Sequence, residues 1–163
     1  MINFLILTDT RQKSENHIIK EFDKQGILHI RTGLPSADYM VVRYDNEKGF
    51  YLDYSILIDT KKDIEEIASN LCNSQNHQRI LREIQKGKDL GAKQFIFLIN
   101  GGKVKTIEDL QNWSSKRTKI KGSVLLKIFK TMSQKYEVKF MIVPKNKIGE
   151  MIIKLLTNNN LPK

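Results

Sequence analysis

A single cysteine, Cys72, excludes an internal disulfide and, with no second thiol to share a metal, a zinc site of the usual kind. The thiol is expected to be buried on a helix. Long hydrophobic runs are also missing. The longest, residues 4–7 and 95–99, are too short for a bilayer span or a signal-peptide core, so no membrane partner and a cytoplasmic location are expected. Disorder is excluded by a hydrophobic fraction of 40% beside 28% charged residues. A chain of 163 residues can bury one sizeable core and is short for two full domains. With no internal repeat or linker-like break, one domain over residues 1–157 is expected, followed by a frayed tail from 158 to 163.

Acidic residues are scarce in the C-terminal third. Residues 1–102 carry 14 Lys/Arg and 14 Asp/Glu, whereas residues 103–147 carry 12 Lys/Arg against Glu108, Asp109 and Glu137, a local excess of +9. Most of the net charge of +10 therefore sits in one segment. A polyanion suits such a surface, because neutralising phosphates releases condensed counterions. A merely solvated lysine-rich surface accounts for the composition equally well.

Hydrophobic period places the elements. Residues 2–8 read as a buried strand, 14–24 as a helix with Ile18, Ile19 and Phe22 at helical spacing, and 27–31 as a second strand. Residues 39–44 and 50–58 read as strands joined through the turn-rich segment 45–49. Ile64, Ile67, Ala68 and Leu71 mark an amphipathic helix, and a second helix runs from about 77 to 90. In the latter, Ile80, Ile84, Gly87 and Gly91 form a narrow stripe that would let it lie close on a sheet, with Arg79, Arg82 and Lys86 on another face. A strand at 94–100, a short helix near 107–113, a basic loop at 116–122, a helix at 124–135, a strand at 138–143 and a last helix after Pro144 complete the chain. The order implies an α/β sandwich with a mixed sheet, antiparallel at the hairpin and parallel across the helical crossovers.

The hairpin turns two distant acids into neighbours. Asp38 precedes one strand and Asp59 follows the next, with 20 residues between them and the turn near the middle. Antiparallel pairing brings both to one end of the sheet. Two such carboxylates repel unless a cation neutralises them, and hard oxygen ligands suit Mg2+ or Mn2+. Lys61, two residues past Asp59, projects to the same side, where it can orient an attacking water or offset charge on a phosphate. The same stretch also reads as a capped helix start, with Thr60 and Asp63 as a capping box and Asp59 near the positive helix end.

Four stretches in order resemble the nuclease domain of the xeroderma pigmentosum group F family, especially its short bacterial and phage branch within the PD-(D/E)xK superfamily. They are residues 7–11 (Leu-Thr-Asp-Thr-Arg), 37–39 (Ala-Asp-Tyr), 58–62 (Ile-Asp-Thr-Lys-Lys), and His77 and Arg79 with Arg82-Glu83 ahead of Leu90-Gly91. Trp113, the helix from Gly122 to Met132 and residues 136–142 extend the likeness over nearly the whole chain.

The resemblance implies a restriction-endonuclease-like α/β fold, a mixed central sheet flanked by helices. It also implies Mg2+-dependent cleavage of DNA, with Mn2+ as a substitute, often at branched, flap or junction DNA in phage or bacterial recombination or repair. Asp38 and Asp59 would ligate the metal, Lys61 would be the catalytic lysine, and Asp9 would support the same pocket. Arg11, Arg79 and Arg82 would meet DNA. Lys116, Arg117, Lys119 and Lys121 would meet it too, and the basic segment 103–147 that holds them would stand in for the helix-hairpin-helix modules of larger members. His77 reads as an ordinary helix-start residue, and Trp113 and Tyr136 as core aromatics. A homodimer is implied, since larger members pair through this domain; no nucleotide cofactor is.

The chain departs from the family pattern at Gln12 for Glu, Ala37 for Gly, Asp59 for Glu and Thr60 for Arg. Asp59 keeps the ligand with a shorter reach. Without Arg at 60, Lys62 or Arg79 would have to supply the phosphate-binding cation. Gln12 cannot bind a metal as a carboxylate can. These departures sustain an alternative, a nuclease-fold DNA-binding or recruitment module without chemistry. A basic enzyme acting on phosphorylated small molecules is disfavoured, because no Gly-rich phosphate loop follows a strand.

Overall fold

The computed structural model describes residues 3–12 and 15–158. The expected frayed tail beyond Asn158 and the proposed starts at Ile2 and Ser14 lie outside the described residues. Six strands form one mixed sheet in the order β2-β1-β3-β4-β5-β6: β1 (Phe4–Asp9), β2 (His29–Thr32), β3 (Tyr39–Asp45), β4 (Gly49–Lys61), β5 (Gln94–Asn100) and β6 (Val138–Val143). The β3–β4 hairpin and the β1–β3 pair are antiparallel, whereas β1–β2, β4–β5 and β5–β6 are parallel. Helical crossovers join the parallel neighbours, as that geometry requires.

Strand alternation divides the apolar side chains between two faces. Leu7, Met40, Leu57 and Phe97 pack under α2 (Ile64–Cys72), α3 (Ser74–Asp89) and α4 (Gly122–Tyr136). Ile6, Tyr39, Ile58 and Ile96 pack under α1 (Asn16–Lys24) and α5 (Ile148–Thr157). Helix α3 lies close to the sheet at Gly87, where a Cβ would sit 2.8 Å from Leu57 Cδ1. Gly91 does not share that role; it lies past the helix end with φ +100°.

The hairpin is not regular. Near its turn Asp45 faces Gly49 and Val41 faces Asp53, a register that would set Asp38 opposite Ile56. Between Val41 and Tyr39 it shifts by three residues, so that Tyr39 faces Ile58. Extra residues in one strand bend it and re-aim its side chains. Asp53 holds the irregular stretch: Oδ1 accepts from Ser55 N at 2.9 Å and Ser55 Oγ at 2.5 Å, and Oδ2 accepts from Arg43 Nε at 2.5 Å.

Strand β4 also runs on through Lys61, so Thr60 belongs to the sheet and caps nothing. The N-cap of α2 is Asp63, whose side chain accepts from Glu66 N at 2.7 Å, while Glu66 Oε2 accepts from Lys62 N at 2.8 Å. The side-chain cap lies three residues later than the spacing suggests, and Glu66 reaches back to Lys62 N rather than to the N–H of the cap residue itself. Cys72, expected to be buried, is exposed at the end of α2 because the helix stops there and the chain turns at Asn73.

Candidate active site

Three strand ends meet where β1, β3 and β4 lie side by side. Asp9 closes β1, and its N–H donates to Asp38 O at 2.8 Å; Asp38 N donates in turn to Ile58 O at 2.9 Å. Asp9 lies two residues past Leu7, Asp38 two before Met40, and Asp59 two past Leu57, with Lys61 two further on. Alternation sends all four side chains to the α2–α3 face. They line one pocket of about 300 Å3 with Arg11, Arg79 and Glu83, over Ala37, Ile80 and Phe97.

Ala37 delivers Asp38 into this pocket through a left-handed backbone, φ 62°, a conformation that favours glycine. Ser36 Oγ donates to Glu83 O at 3.0 Å, tying the approach to β3 onto α3.

Each carboxylate has a different environment. Asp9 is saturated: Arg11 Nε donates to Oδ2 at 2.6 Å and Leu34 N to Oδ1 at 3.2 Å, and Arg11 also reaches Leu34 O. It therefore braces the loop before β3. Asp38 accepts three side-chain or backbone donors, all on Oδ2: Thr60 N at 2.8 Å, Thr60 Oγ1 at 3.2 Å and Gln12 Nε2 at 3.0 Å. Gln12 Nε2 also donates to Thr60 Oγ1 at 2.5 Å. Burial, and then the charge of Asp59, push the Asp38 carboxyl well above its ordinary range.

Asp59 Oδ1 is buried, and Lys61 Nζ lies 2.6 Å away. The contact is a short, buried ion pair. Burial alone would lower the Lys61 pKa, but Asp59 and Asp38 more than offset it and the net shift is upward. Lys61 is therefore a fixed cation at neutral pH.

Two facing carboxylates, one with a raised pKa and the other with a single ammonium for a partner, leave room for a further positive charge. This donor set fits a divalent cation. Among the described residues no group of three or more His, Cys, Asp or Glu is arranged to hold a metal ion. Mg2+ accepts one or two carboxylates with water and substrate phosphate completing its shell, whereas a structural zinc site would need more protein ligands.

The remaining candidates fall in different places. Exposed Arg79 stands at the pocket rim, with Nη2 3.5 Å from Asn70 Oδ1. Arg82, expected beside it, is exposed but does not line the pocket; the helical step brings Glu83 round instead. Lys116, Arg117, Lys119 and Lys121 are exposed and also outside the pocket. Their loop is a folded hairpin, bridged at Ser114 and Lys121, with Ser115 N donating to Ile120 O at 2.9 Å. Glu65 of α2 tethers it by accepting from Ser115 Oγ and Lys116 N, both at 2.6 Å. Arg117 is thereby set near Lys62.

His77 Nδ1 pairs with Leu71 O at 2.9 Å and joins α3 to α2. Trp113 and Tyr136 pack against the core. Sequence reasoning missed Glu83 as a lining residue and Glu65 as the loop tether. Glu83 stood in a recognised motif, whereas Glu65 carried no signal beyond that of an acid in a first helical turn.

The described residues contain no helix long and apolar enough to cross a membrane. No curated protein sequence matches the chain significantly. Among solved structures, the XPF protein from Aeropyrum pernix superposes with a TM-score of 0.64 at 15% sequence identity, covering 94% of this chain and 66% of that one, just under two thirds. That likeness establishes the fold. The model of the ERCC4 domain matches residues 8–162, a span that takes in every strand end of the carboxylate pocket. By that match the chain belongs to the ERCC4-domain family of nucleases.

Proposed function

We propose that this protein is a Mg2+-dependent DNA endonuclease that hydrolyses phosphodiester bonds at branched, flap or junction DNA, in phage or bacterial recombination or repair. One observation carries the reading: Asp38 and Asp59 face one pocket with the Lys61 ammonium 2.6 Å from Asp59 Oδ1. Asp38 and Asp59 would hold the cation. When bound, Mg2+ supplies an acidified water and polarises the scissile phosphate. Lys61, already protonated, offsets charge that develops on the phosphate oxygens. Gln12 and Thr60 fix Asp38 by occupying Oδ2 and leaving Oδ1 for other work. Arg79, at the pocket rim, would meet a backbone phosphate.

The test is incubation with flap, fork and four-way-junction DNA, with and without Mg2+ or Mn2+. Cleavage should require the metal, and Asp59→Ala should lower it by at least about 100-fold. Intact substrates, or an Asp59→Ala protein that cuts like wild type, would sink the reading. A non-cleaving DNA-binding module is favoured by one feature, Gln12 amide nitrogen rather than a carboxylate beside Asp38. Retained DNA affinity without metal binding or cleavage would establish it.

A further inference from the structure

The same sheet end carries a second cleft, of about 280 Å3, facing α1 and α5. Arg11, Lys62 and Lys145 line it together with His17 and Asn100. Among the described residues Glu66 is the one carboxylate in its wall, and Lys62 N already donates to it at 2.8 Å. With Arg11 paired to Asp9 and Lys61 to Asp59, Lys62 and Lys145 outnumber Glu66 among the described lining residues, which leaves the cleft a small surplus of positive charge.

His17 is the sharper clue. Its Nε2 is buried and meets no partner among the described residues. Burial, and then the charge of Lys145, push the imidazole pKa down, so the ring is neutral at neutral pH. A neutral imidazole can still donate one N–H. In the tautomer that carries the proton on Nε2 the ring lacks an acceptor, and a buried polar nitrogen left unmatched is costly.

An anion with several acceptor oxygens would satisfy His17 and the flanking cations together. Position says which anion. Arg11 and Lys61 line both this cleft and the carboxylate pocket, so the two are separated only by the end of β4 and the chain after β1. We propose that the cleft is a phosphate-binding subsite that holds a phosphate of the substrate strand adjacent to the one being cut. The proposal rests on the nuclease reading above. A terminal phosphomonoester and an internal phosphodiester present the same oxygens, and experiment separates them.

Fluorescence anisotropy of the full chain in EDTA, with 5′-phosphorylated and 5′-hydroxyl forks, gives the affinity without cleavage. The double variant His17→Ala with Lys145→Ala should bind about tenfold more weakly than wild type, with a salt slope smaller by about one, whereas Lys130→Ala changes little. A loss confined to the 5′-phosphorylated fork assigns the subsite to a strand terminus; an equal loss on both assigns it to an internal phosphate. In wild-type protein, inorganic phosphate should move the His17 Nε2 resonance in NMR spectra, a readout independent of any variant's folding.

If affinity and slope match the Lys130→Ala control and the His17 resonance does not respond to phosphate, the subsite is overturned while metal-dependent cleavage stands. A wild-type protein that neither binds nor cuts DNA overturns both readings.

Discussion

Ala37 occupies a backbone conformation that costs an L-residue roughly 1–2 kcal/mol, yet it is buried at the pocket wall. Glycine would remove that strain but lose a buried methyl worth about 0.8 kcal/mol and add chain entropy of a similar size. Ala37→Gly should therefore leave stability within about 1 kcal/mol of wild type in urea unfolding. Ala68→Gly, inside α2 and equally buried, should cost about 2 kcal/mol. Equal losses would show that residue 37 is unstrained. Gln12 and Thr60 read in the sequence as two separate losses of charge; in the fold they are hydrogen-bonded to each other and both hold Asp38. Their contact was illegible because 48 residues separate them and neither type signals the other. Glu15, beside the same sheet end, is 5% exposed and has no aligned partner for either oxygen among the described residues. Burial raises its pKa, with Tyr39 and Arg31 offsetting part of the cost. A carboxyl whose folded pKa is raised favours folding below its unfolded pKa, and that contribution is lost as pH climbs through the folded value. The melting temperature should fall as pH rises above the ordinary glutamate range, and Glu15→Gln should make that fall smaller. Asp38 shifts in the same direction, so the slope will shrink without vanishing. An unchanged slope in Glu15→Gln would remove Glu15 from this account.

The hairpin shows how an element can be read correctly for an incomplete reason. A turn near the middle of residues 38–59 was enough to place the two acids at one end of the sheet, but the regular register would have set Asp38 against Ile56. The three-residue shift corrects this, and its cause is a side chain. Asp53, paired across the hairpin with Val41, folds the next residues back through Ser55 and binds Arg43, whose Nη2 also donates to Leu156 O at 2.7 Å in α5. Burial opposes the Asp53 charge, but Ser55 and Arg43 overcome it and hold the carboxyl below its ordinary range. Alternation of apolar residues cannot reveal such a shift, because Tyr54 and Ser55 interrupt the pattern without declaring which way the strand bends. The arginine and aspartate side chains are 15% and 17% exposed, so breaking the pair should cost less than a fully buried one, about 2 kcal/mol. Asp53→Ala should also lower kcat more than it raises KM, because it moves Asp38 relative to Asp59 without touching DNA. Equal stability and unchanged kcat would detach the irregularity from the site.

For the molecule as a whole, the charge asymmetry between residues 1–102 and 103–147 was plain in the composition, whereas the place of the basic loop beside the pocket was not. Glu65 sets that place by binding the loop from α2, and Gly122 lets the loop run into α4, since a Cβ there would lie 1.6 Å from Leu110 O. The loop cations are exposed and outside the carboxylate pocket, so under the proposed function they would act on affinity and the pocket on chemistry. Replacing Lys116, Arg117, Lys119 and Lys121 together by Gln removes four charges from one side of the sheet end. If each meets a duplex phosphate, the slope of log K against log salt falls by up to about 3.6, from about 0.9 per contact. Cleavage at saturating DNA should stay within about twofold of wild type, because Asp38, Asp59 and Lys61 are undisturbed. The slope, measured by anisotropy across a salt series in EDTA, decides between two surfaces that look alike in composition. A fall by one or more makes the loop part of the DNA path, and an unchanged slope reduces it to solvated lysine.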